Sequence, residues 1–254
     1  MLKFFRKIRQ NLLTENKFSK YLIYAIGEII LVVIGILIAL AINNANQKSI
    51  LKEKEHTYLI GLKEEFEISK KKLTELMQVN QNSYNSAKQI LSYTSNLNNR
   101  PTEKELSELL LNTLSFDVAF NPNNSLLSEM INSGSLKDIS NDALRIHLAN
   151  WVATLEDIAK QENDLANQRE KVIEFFRSDN YSLRTVFDLT AVSNDIDLPK
   201  QKDQISNSDL LNSNAFENNL LMFILSSHAT EEAHYQPLME DINRILELID
   251  SEIP

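Results

Sequence analysis

The chain opens with a pattern that no later part repeats. Residues 21–42, YLIYAIGEIILVVIGILIALAI, form an apolar run of 22 residues with one charge, Glu28. A helix rises about 1.5 Å per residue, so about 20 residues cross the ~30 Å hydrocarbon layer of a membrane. The apolar run therefore predicts a transmembrane helix over 21–42.

Beyond residue 42, apolar residues recur every three or four positions with charged residues between them, which is the period of amphipathic helices. Two stripes are long: Tyr58, Leu62, Phe66, Leu73, Leu76 and Leu91 form the first, and Leu144, Leu148, Trp151, Leu155, Ile158, Leu165, Val172 and Phe176 form the second. The first stripe predicts a long helix that ends near residues 98–101. The pattern leaves open whether this helix continues the transmembrane one.

Capping and stop signals mark the helices between and around these stripes. Thr102 and Glu105 have the spacing of a capping box, so a helix is predicted from there to about residue 115. The segment SLLSEMINS predicts a short helix that ends at Gly134, because glycine adopts the left-handed cap conformation at little cost. Ser140 or Asn141 is predicted to cap the helix of the second stripe.

The last third of the chain is less regular. Residues 181–191 fit a helix and a strand equally well, and residues 192–207 have the composition of a polar linker. Asn214 and Glu217 predict a capping box that opens a last helix reaching about Ser251. Pro237 lies inside that helix, where it removes a hydrogen bond and clashes with the preceding turn, so a kink or two abutting helices are expected.

Composition supports a helical architecture. Four glycines and five prolines in 254 residues are few for a turn-rich β fold. Cysteine is absent, which excludes disulfides, thiolate metal sites and cysteine nucleophiles. The predicted fold class is all-α, with an N-terminal transmembrane helix followed by an exported antiparallel helical bundle. The predicted domains are a basic cytoplasmic arm (1–20), the transmembrane helix (21–42) and the exported helical domain (43–254).

Charges on the two sides of the apolar run predict its orientation. Six basic residues precede it with only Glu15 opposing: Lys3, Arg6, Lys7, Arg9, Lys17 and Lys20. After the run, three lysines are interleaved with two glutamates over residues 48–55. Lys and Arg near a membrane segment stay on the cytoplasmic side, so the amino terminus is predicted to be cytoplasmic and residues 43–254 exported.

The competing interpretation of the run is a cleaved signal peptide. Ala39-Leu40-Ala41 has the small-x-small spacing that a signal peptidase accepts. The apolar core of a signal peptide is ~7–15 residues long, which is shorter than this run. A retained membrane anchor is therefore the favoured interpretation.

The exported part is strongly acidic. Residues 1–42 hold six of the 26 basic and two of the 35 acidic residues, so residues 43–254 carry 20 against 33 and a formal charge of −13. Binding to nucleic-acid phosphates needs a basic footprint. Nucleic acid is therefore excluded as a partner.

Two segments carry a family resemblance. MLKFFRKIRQNLLTENKFSKYLIYAIGEIILVVIGILIALAINN closely resembles the amino terminus of an uncharacterised family of bacterial membrane-anchored proteins, catalogued only as a domain of unknown function. LLSEMINSGSLKDISNDALRIHLANW resembles a second signature of that family. The resemblance implies a single-pass inner-membrane protein of Gram-negative bacteria with a helical exported domain, which would then be periplasmic. Because the family has no assigned activity, the resemblance implies no functional residues.

Three residues of the apolar run predict helix association in the membrane. Glu28 lies about one-third of the way into the run, where a carboxylate costs at least ~2.5 kcal/mol by insertion scales. It is therefore predicted to face another protein surface; the alternative is a protonated or water-solvated carboxyl without a partner. Gly35 and Ala39 form a small-xxx-small pair, which lets another helix approach closely.

Two Glu-x-x-His pairs have the spacing with which ferritin-like bundles place two metal ligands on one helical face. At about 100° per residue, Glu53 lies opposite the apolar stripe of its helix, so its pair with His56 is predicted to face solvent. The second pair, Glu231 with His234, lies in the last predicted helix.

The second pair belongs to a predicted polar layer. His228, Glu231 and Tyr235 share a stripe with apolar residues of the last helix and should be partly buried near Pro237. A satisfied buried polar layer is the favoured interpretation. A metal site and a proton-linked switch at a buried histidine are the alternatives.

Arg145 follows an apolar stripe residue in an acidic domain. It is predicted to be a structural ion-pair partner of a neighbouring helix, with recognition of an anionic ligand as the alternative. No segment has the pattern of a catalytic or cofactor motif, so neither catalytic residues nor a cofactor or metal ligand is predicted.

These features favour a non-enzymatic interaction or scaffold module. Its predicted partners are the lipid bilayer and, through the transmembrane helix, a membrane protein or a second copy of the chain. The alternative is a ligand-sensing or metal-binding helical module. A cytoplasmic arm of about 20 residues is below the ~40-residue limit for a domain, so any signal has to pass to another membrane protein.

Overall fold

The computed structural model describes residues 18–94 and 99–253, and these residues are helical or irregular with no strand. This confirms the all-α class. The chain divides into two compact units, Met1–Thr57 and Tyr58–Pro254. Apart from residues 18–20, the predicted basic arm 1–20 lies outside the described residues.

The apolar run belongs to helix α1, which extends from Phe18 to Thr94 without interruption. Within the run, the large aliphatic side chains from Leu22 to Ile42 are 46–71 % exposed. Among the described residues, α1 is the one helix long and apolar enough to span a membrane, with a mean hydropathy of 2.9 over its most apolar window. None of that window is buried within the chain.

The second unit contains the C-terminal part of α1 and seven further α-helices among the described residues. They are α2 (Glu103–Leu114), α3 (Ser125–Ser133), α4 (Asp142–Ile173), α5 (Leu183–Leu189), α6 (Val192–Asp195), α7 (Asn214–Thr230) and α8 (Gln236–Glu252). Short 3₁₀ turns lie at Ser135–Asp138, Glu174–Arg177 and Ser208–Asn212. The segment that fitted both a helix and a strand contains helix α5.

Three predicted helix ends are confirmed. Thr102 and Glu105 form the capping box of α2, in which the side chain of each residue accepts a hydrogen bond from the backbone N–H of the other. Gly134 ends α3 with a φ of 71°, a left-handed conformation that glycine adopts without strain. Asn141, and not Ser140, is the N-cap of α4; its side chain accepts a hydrogen bond from the N–H of Leu144 at 3.0 Å.

The start of α7 differs from its prediction by one residue. The N-cap is Ser213, whose Oγ accepts a hydrogen bond from the N–H of Phe216 at 3.2 Å, and Asn214 is the first helical residue. Ser213 has the extended backbone that an N-cap requires. Glu217 accepts a hydrogen bond from Thr94 Oγ1 at 3.1 Å rather than closing a capping box.

Residues 192–207 are not a free linker, although their composition predicts one. The carboxylate of Asp188 accepts a hydrogen bond from the hydroxyl of Ser193, and both residues are buried. Asn207 is fully buried and makes two hydrogen bonds with the backbone of Ser182, at 2.8 and 3.0 Å. Ser193 and Asn207 therefore face inward, and their hydrogen bonds hold the two ends of the segment on the domain.

Helix α3 is positioned by α1. The N–H groups of Leu126 and Leu127 donate to the carboxylate of Glu65, with N···O distances of 2.7 and 3.3 Å. Ser69 Oγ also accepts a hydrogen bond from the N–H of Asn123 at 2.9 Å, just before α3. A side chain of α1 thus satisfies helix-start N–H groups that α3 leaves free.

The break expected at Pro237 takes the form of a π-helical turn. Helix α7 ends at Thr230, residues Glu231–Tyr235 form the π-turn, and α8 begins at Gln236. Pro237 lies in the first turn of α8, where the missing N–H is not needed for an intrahelical bond.

Two apolar cores stabilise the second unit. The first surrounds Trp151, whose ring lies edge-on to Phe66 with a centroid distance of 4.9 Å. Its buried members are Leu59, Leu62, Phe66, Leu73, Leu127, Met130, Ile139, Leu144, Leu148, Trp151, Ile158, Tyr235, Leu238, Ile242, Ile245, Leu248 and Ile249. The second comprises Ala87, Ile90, Leu106, Leu109, Leu110, Leu114, Leu165, Val172, Phe176, Val186, Leu210, Leu211, Phe216, Leu220 and Phe223.

Candidate functional site

A buried polar layer separates the two cores along three helical segments. On α1 it contains Asn80, between core residues Leu73 and Ala87; on α4 it contains Glu162, between Ile158 and Leu165. From α7 into the π-turn it contains Ser227, Thr230 and Glu231, followed by Tyr235. We refer to Asn80, Glu162, Ser227, Thr230, Glu231 and the hydroxyl of Tyr235 as the buried polar layer.

Glu231 is held by two amide side chains of α1. Asn80 Nδ2 and Gln81 Nε2 each donate to one carboxylate oxygen of Glu231 at 2.9 Å. Asn80 also accepts a hydrogen bond from Ser227 Oγ at 2.6 Å. No salt bridge joins Glu231 to a cationic side chain in the described part of the chain. Neutral donors therefore satisfy this carboxylate, which is 6 % exposed.

Glu162 is the second buried carboxylate of the layer. Its Oε1 accepts hydrogen bonds from Tyr235 Oη at 2.6 Å and from the N–H of Phe120 at 2.7 Å. Burial raises the pKa of Glu162, while these two hydrogen bonds and the nearby His234 oppose that shift. Burial and the neighbouring carboxylate of Glu162 raise the pKa of Tyr235, so its hydroxyl remains a donor.

The π-turn helps to place these groups. It spans Glu231–Tyr235, and both end residues are buried. A π-turn inserts an extra residue into a helix and occurs frequently at functional sites. Here it lets Glu231 reach α1 while Tyr235 reaches Glu162 of α4.

One member of the predicted layer lies elsewhere. His228 is exposed, and its ring stacks on Tyr84 of α1 with a centroid distance of 5.8 Å. The prediction that His228 is partly buried is therefore wrong. The preceding residue, Ser227, points inward instead and is fully buried. The simple helical stripe placed His228 inside because it did not anticipate the change of period at the π-turn.

A polar cleft of about 270 Å³ opens beside the layer between α1 and the end of α7. Its lining includes Glu231 and the stacked pair Tyr84 and His228. The remaining lining residues are Asn80, Gln81, Asn85, Ser227, Glu232 and Gln236. The cleft thus combines carboxamides, two carboxylates and an aromatic wall.

The described residues contain no group of three or more His, Cys, Asp and Glu side chains arranged to hold a metal ion. In the second Glu-x-x-His pair, Glu231 binds amides of α1, whereas His234 lies 3.8 Å from Asp157. In the first pair, Glu53 and His56 are exposed.

Arg145 is paired on its own helix. Its guanidinium donates to the carbonyl of Ile139 at 2.7 Å and to the carboxylate of Asp142, one turn earlier on α4. The prediction that Arg145 pairs with an acidic residue of a neighbouring helix is therefore wrong. The Arg145 side chain instead binds groups at the start of α4, namely the carbonyl of Ile139 and the carboxylate of Asp142.

The three residues predicted for association lie on the first unit's part of α1. Glu28 is half-exposed, and Gly35 and Ala39 are exposed. A Cβ added at Gly27 or Gly35 would meet no described atom within 4 Å. Packing among the described residues therefore does not require glycine at these two positions.

Sequence reasoning missed Asn80, Glu162 and Ser227. A signal for two of them was present, because Glu162 stands in the α4 stripe between Ile158 and Leu165, and Asn80 stands in the α1 stripe between Leu76 and Leu91. A polar residue at an apolar stripe position predicts a buried hydrogen bond. Its partner on another helix could not be identified from spacing.

A scan against protein-family models, a search of curated proteins and a search of solved structures found no match to this chain. No relative therefore supplies an activity or a partner for the buried polar layer or for the apolar run.

Proposed function

We propose that the chain is a single-pass inner-membrane protein of a Gram-negative bacterium and a non-enzymatic interaction module. Residues 21–42 cross the membrane, residues 1–20 are cytoplasmic, and residues 43–254 form a periplasmic, antiparallel helical bundle. Exposure of the large aliphatic side chains of the apolar run carries this proposal. Aliphatic side chains that are 46–71 % exposed over Leu22–Ile42 require an apolar environment that the described chain does not provide.

The orientation rests on the basic residues ahead of the run. Six Lys and Arg precede it, whereas the residues after it carry mixed charge. The opposite orientation would carry the basic arm, residues 1–20, across the membrane, whereas Lys and Arg near a membrane segment are retained on the cytoplasmic side. The strongly acidic part, residues 43–254, carries no such constraint because Asp and Glu contribute little to orientation.

Reporter fusions test this topology. A reporter active only in the cytoplasm, fused after Pro254, is expected to be silent, and one active only in the periplasm is expected to give a signal. Both fusions should remain in the membrane fraction. Activity of the cytoplasmic reporter would overturn the orientation. Release of a soluble fragment beginning near Ile42 would overturn the retained anchor.

The interaction partner is proposed to meet the apolar run. Gly35 and Ala39 offer a surface on which another helix backbone approaches closely, and no contact within the described chain uses the space at Gly35. Glu28 adds a polar group to the same run. The partner is a membrane protein or a second copy of this chain.

Cross-linking in the bacterial membrane tests the association. Interhelical polar contacts in membranes average about 0.6 kcal/mol, so Glu28→Leu is expected to weaken the cross-linked species without preventing insertion. Ala41→Leu is the matched control, because at about 100° per residue Ala41 points away from the face of Gly35 and Ala39. If Glu28→Leu and Gly35→Leu both insert normally and leave cross-linking unchanged, the run is an anchor only.

A second candidate function, ligand sensing, is favoured by the polar cleft beside the buried polar layer. The cleft lies where the π-turn joins α7 to α8, so an occupant would contact the segment that links the two cores. In this second candidate function, the domain with a ligand bound in the cleft signals through the membrane protein that associates with the apolar run. Titration of the full-length protein with a panel of small polar molecules tests it; no saturable binding dependent on Glu232 would reject the cleft as a sensor.

A further inference from the structure

A second and larger concavity lies next to the polar cleft. It is a groove of about 400 Å³ between α1 and the end of α2, and we call it the amide groove. Its lining residues are Val79, Asn82, Asn85, Ser86, Gln89, Asn112 and Phe116. Asn85 is shared with the polar cleft. All of the lining residues are uncharged, although charged residues make up 24 % of the chain.

The polar side chains of the amide groove are available to a ligand. Within the described part of the chain, Asn85, Ser86 and Asn112 make no side-chain hydrogen bond. The side-chain oxygen of Asn82, Oδ1, accepts a hydrogen bond from Gln78 Nε2 at 3.0 Å. The side-chain nitrogen of Asn82, Nδ2, remains available to a ligand. Each carboxamide offers a donor and an acceptor side by side.

An exposed aromatic ring borders the groove. Phe116 follows the end of α2, is 55 % exposed and belongs to neither core. A ring in this position offers a flat apolar surface to a ligand whose edges carry hydrogen-bonding groups. The domain itself gains little packing from Phe116.

The α1 sequence beside the groove is unusual for an exposed helix. Between Glu75 and Lys88 there is no charged residue, whereas residues 61–75 contain eight. Asn is a weaker helix former than the Glu and Lys that occupy the preceding turns. Asn80 is explained by its hydrogen bond to Glu231, but Asn82 and Asn85 are exposed and have no such structural partner on another helix.

We propose that the amide groove binds a neutral carbohydrate. Vicinal hydroxyls of a sugar present paired donors and acceptors at the spacing that carboxamides match, and the C–H face of a sugar ring packs on an aromatic side chain. The absence of charge in the lining disfavours phosphate and carboxylate ligands. An extended peptide is disfavoured because α1 and α2 offer no free strand edge for backbone pairing.

Binding of neutral oligosaccharides to the full-length protein tests this proposal. Maltotriose and triacetylchitotriose are added to protein in nanodiscs of phosphatidylcholine, which has no net charge, and binding is measured by saturation-transfer NMR and calorimetry. At least one sugar is expected to bind saturably. Asn85→Ala, Asn112→Ala and Phe116→Ala are each expected to weaken binding about tenfold, the effect of one lost contact of about 1.4 kcal/mol.

Two matched controls and one competitor make the result decisive. Asn150→Ala removes an exposed amide on α4, and Ile146→Ala removes an exposed apolar side chain there. Both are expected to leave sugar binding unchanged, and all five variants should keep the fluorescence of Trp151. Failure of both sugars to bind, binding that is insensitive to the three groove variants, or equal competition by triglycine would each overturn the proposal.

Discussion

Helix α1 contains two apolar stretches whose burial is opposite. From Leu22 to Ile42 the aliphatic side chains are exposed, whereas Leu59, Leu62 and Phe66 are at most 2 % exposed. The first stretch is apolar on all sides, and the second alternates apolar and charged positions with the helical period. A helix that is apolar all round has no solvent-facing side, so it needs an apolar environment on every side. The apolar side chains of Leu59, Leu62 and Phe66 are therefore covered by the domain's own core, whereas those from Leu22 to Ile42 need an apolar environment on all sides.

Glycines differ between the same two regions. A Cβ on Gly61 would lie 2.5 Å from Cδ2 of Leu126, so glycine there permits the close approach of α3 to α1. A Cβ on Gly35 would meet nothing within 4 Å. Packing within the chain explains Gly61, whereas Gly35 gains a packing role only if another helix approaches it.

The largest expected effect separates the two apolar stretches. Phe66→Ala removes a fully buried ring that contacts Trp151, and we expect it to lower the free energy of unfolding by about 3–5 kcal/mol. Leu31→Ala is expected to change it by less than about 0.5 kcal/mol, because the Leu31 side chain is 69 % exposed and is not a member of either core. Denaturant unfolding in detergent, followed by the fluorescence of Trp151, measures both. Equal losses would contradict the division into two regions.

Predictability from sequence differed between regular and irregular parts. The stripes on α1 and α4, the capping box at Thr102 and the stop at Gly134 are local signals, and the structure contains them. The inward side chains of Ser193 and Asn207 depend on Asp188 and Ser182 as partners, which composition does not reveal. A polar segment has the same composition whether its hydrogen bonds go to water or to the protein.

The candidate site was less predictable for a related reason. Glu231 and Tyr235 were found from their stripe, but the π-turn changes the helical period, so the stripe drawn through α8 residues does not continue to His228 on α7. Glu162 and Asn80 approach Tyr235 and Glu231 from other helices, at sequence separations of 73 and 151 residues. Spacing along one helix contains no information about such pairs.

An intermediate effect is expected at the two glycines. Gly61→Leu has to displace Leu126, which packs against the first core, so we expect a loss of about 1–3 kcal/mol in the free energy of unfolding. Gly35→Leu is expected to leave the unfolding of the domain unchanged and to weaken the cross-linked species in membranes. Thermal and denaturant unfolding of both variants, with cross-linking in parallel, checks the pair. An unfolding loss at Gly35 would show that packing within the chain requires that glycine after all.

The smallest expected effect is a change in pH dependence at Glu162. Because burial raises the pKa of this carboxyl in the folded state, the folded protein keeps the proton over a pH range in which the unfolded chain has lost it. Its contribution to stability is therefore fully present below the ordinary pKa of 4.5 and is lost as pH rises through the folded-state value. Glu162→Gln cannot titrate, so its stability should rise relative to that of the unsubstituted protein as pH increases from about 4 to 7.

Denaturant unfolding at a series of pH values, followed by the fluorescence of Trp151, measures this difference. Glu156→Gln is the matched control, because Glu156 is an exposed carboxylate on the same helix. If the unsubstituted protein instead gains stability over Glu162→Gln as pH rises, the hydrogen bonds from Tyr235 and Phe120 outweigh burial. The carboxylate would then be stabilised in its charged form, and the polar layer would favour the ionised state at neutral pH.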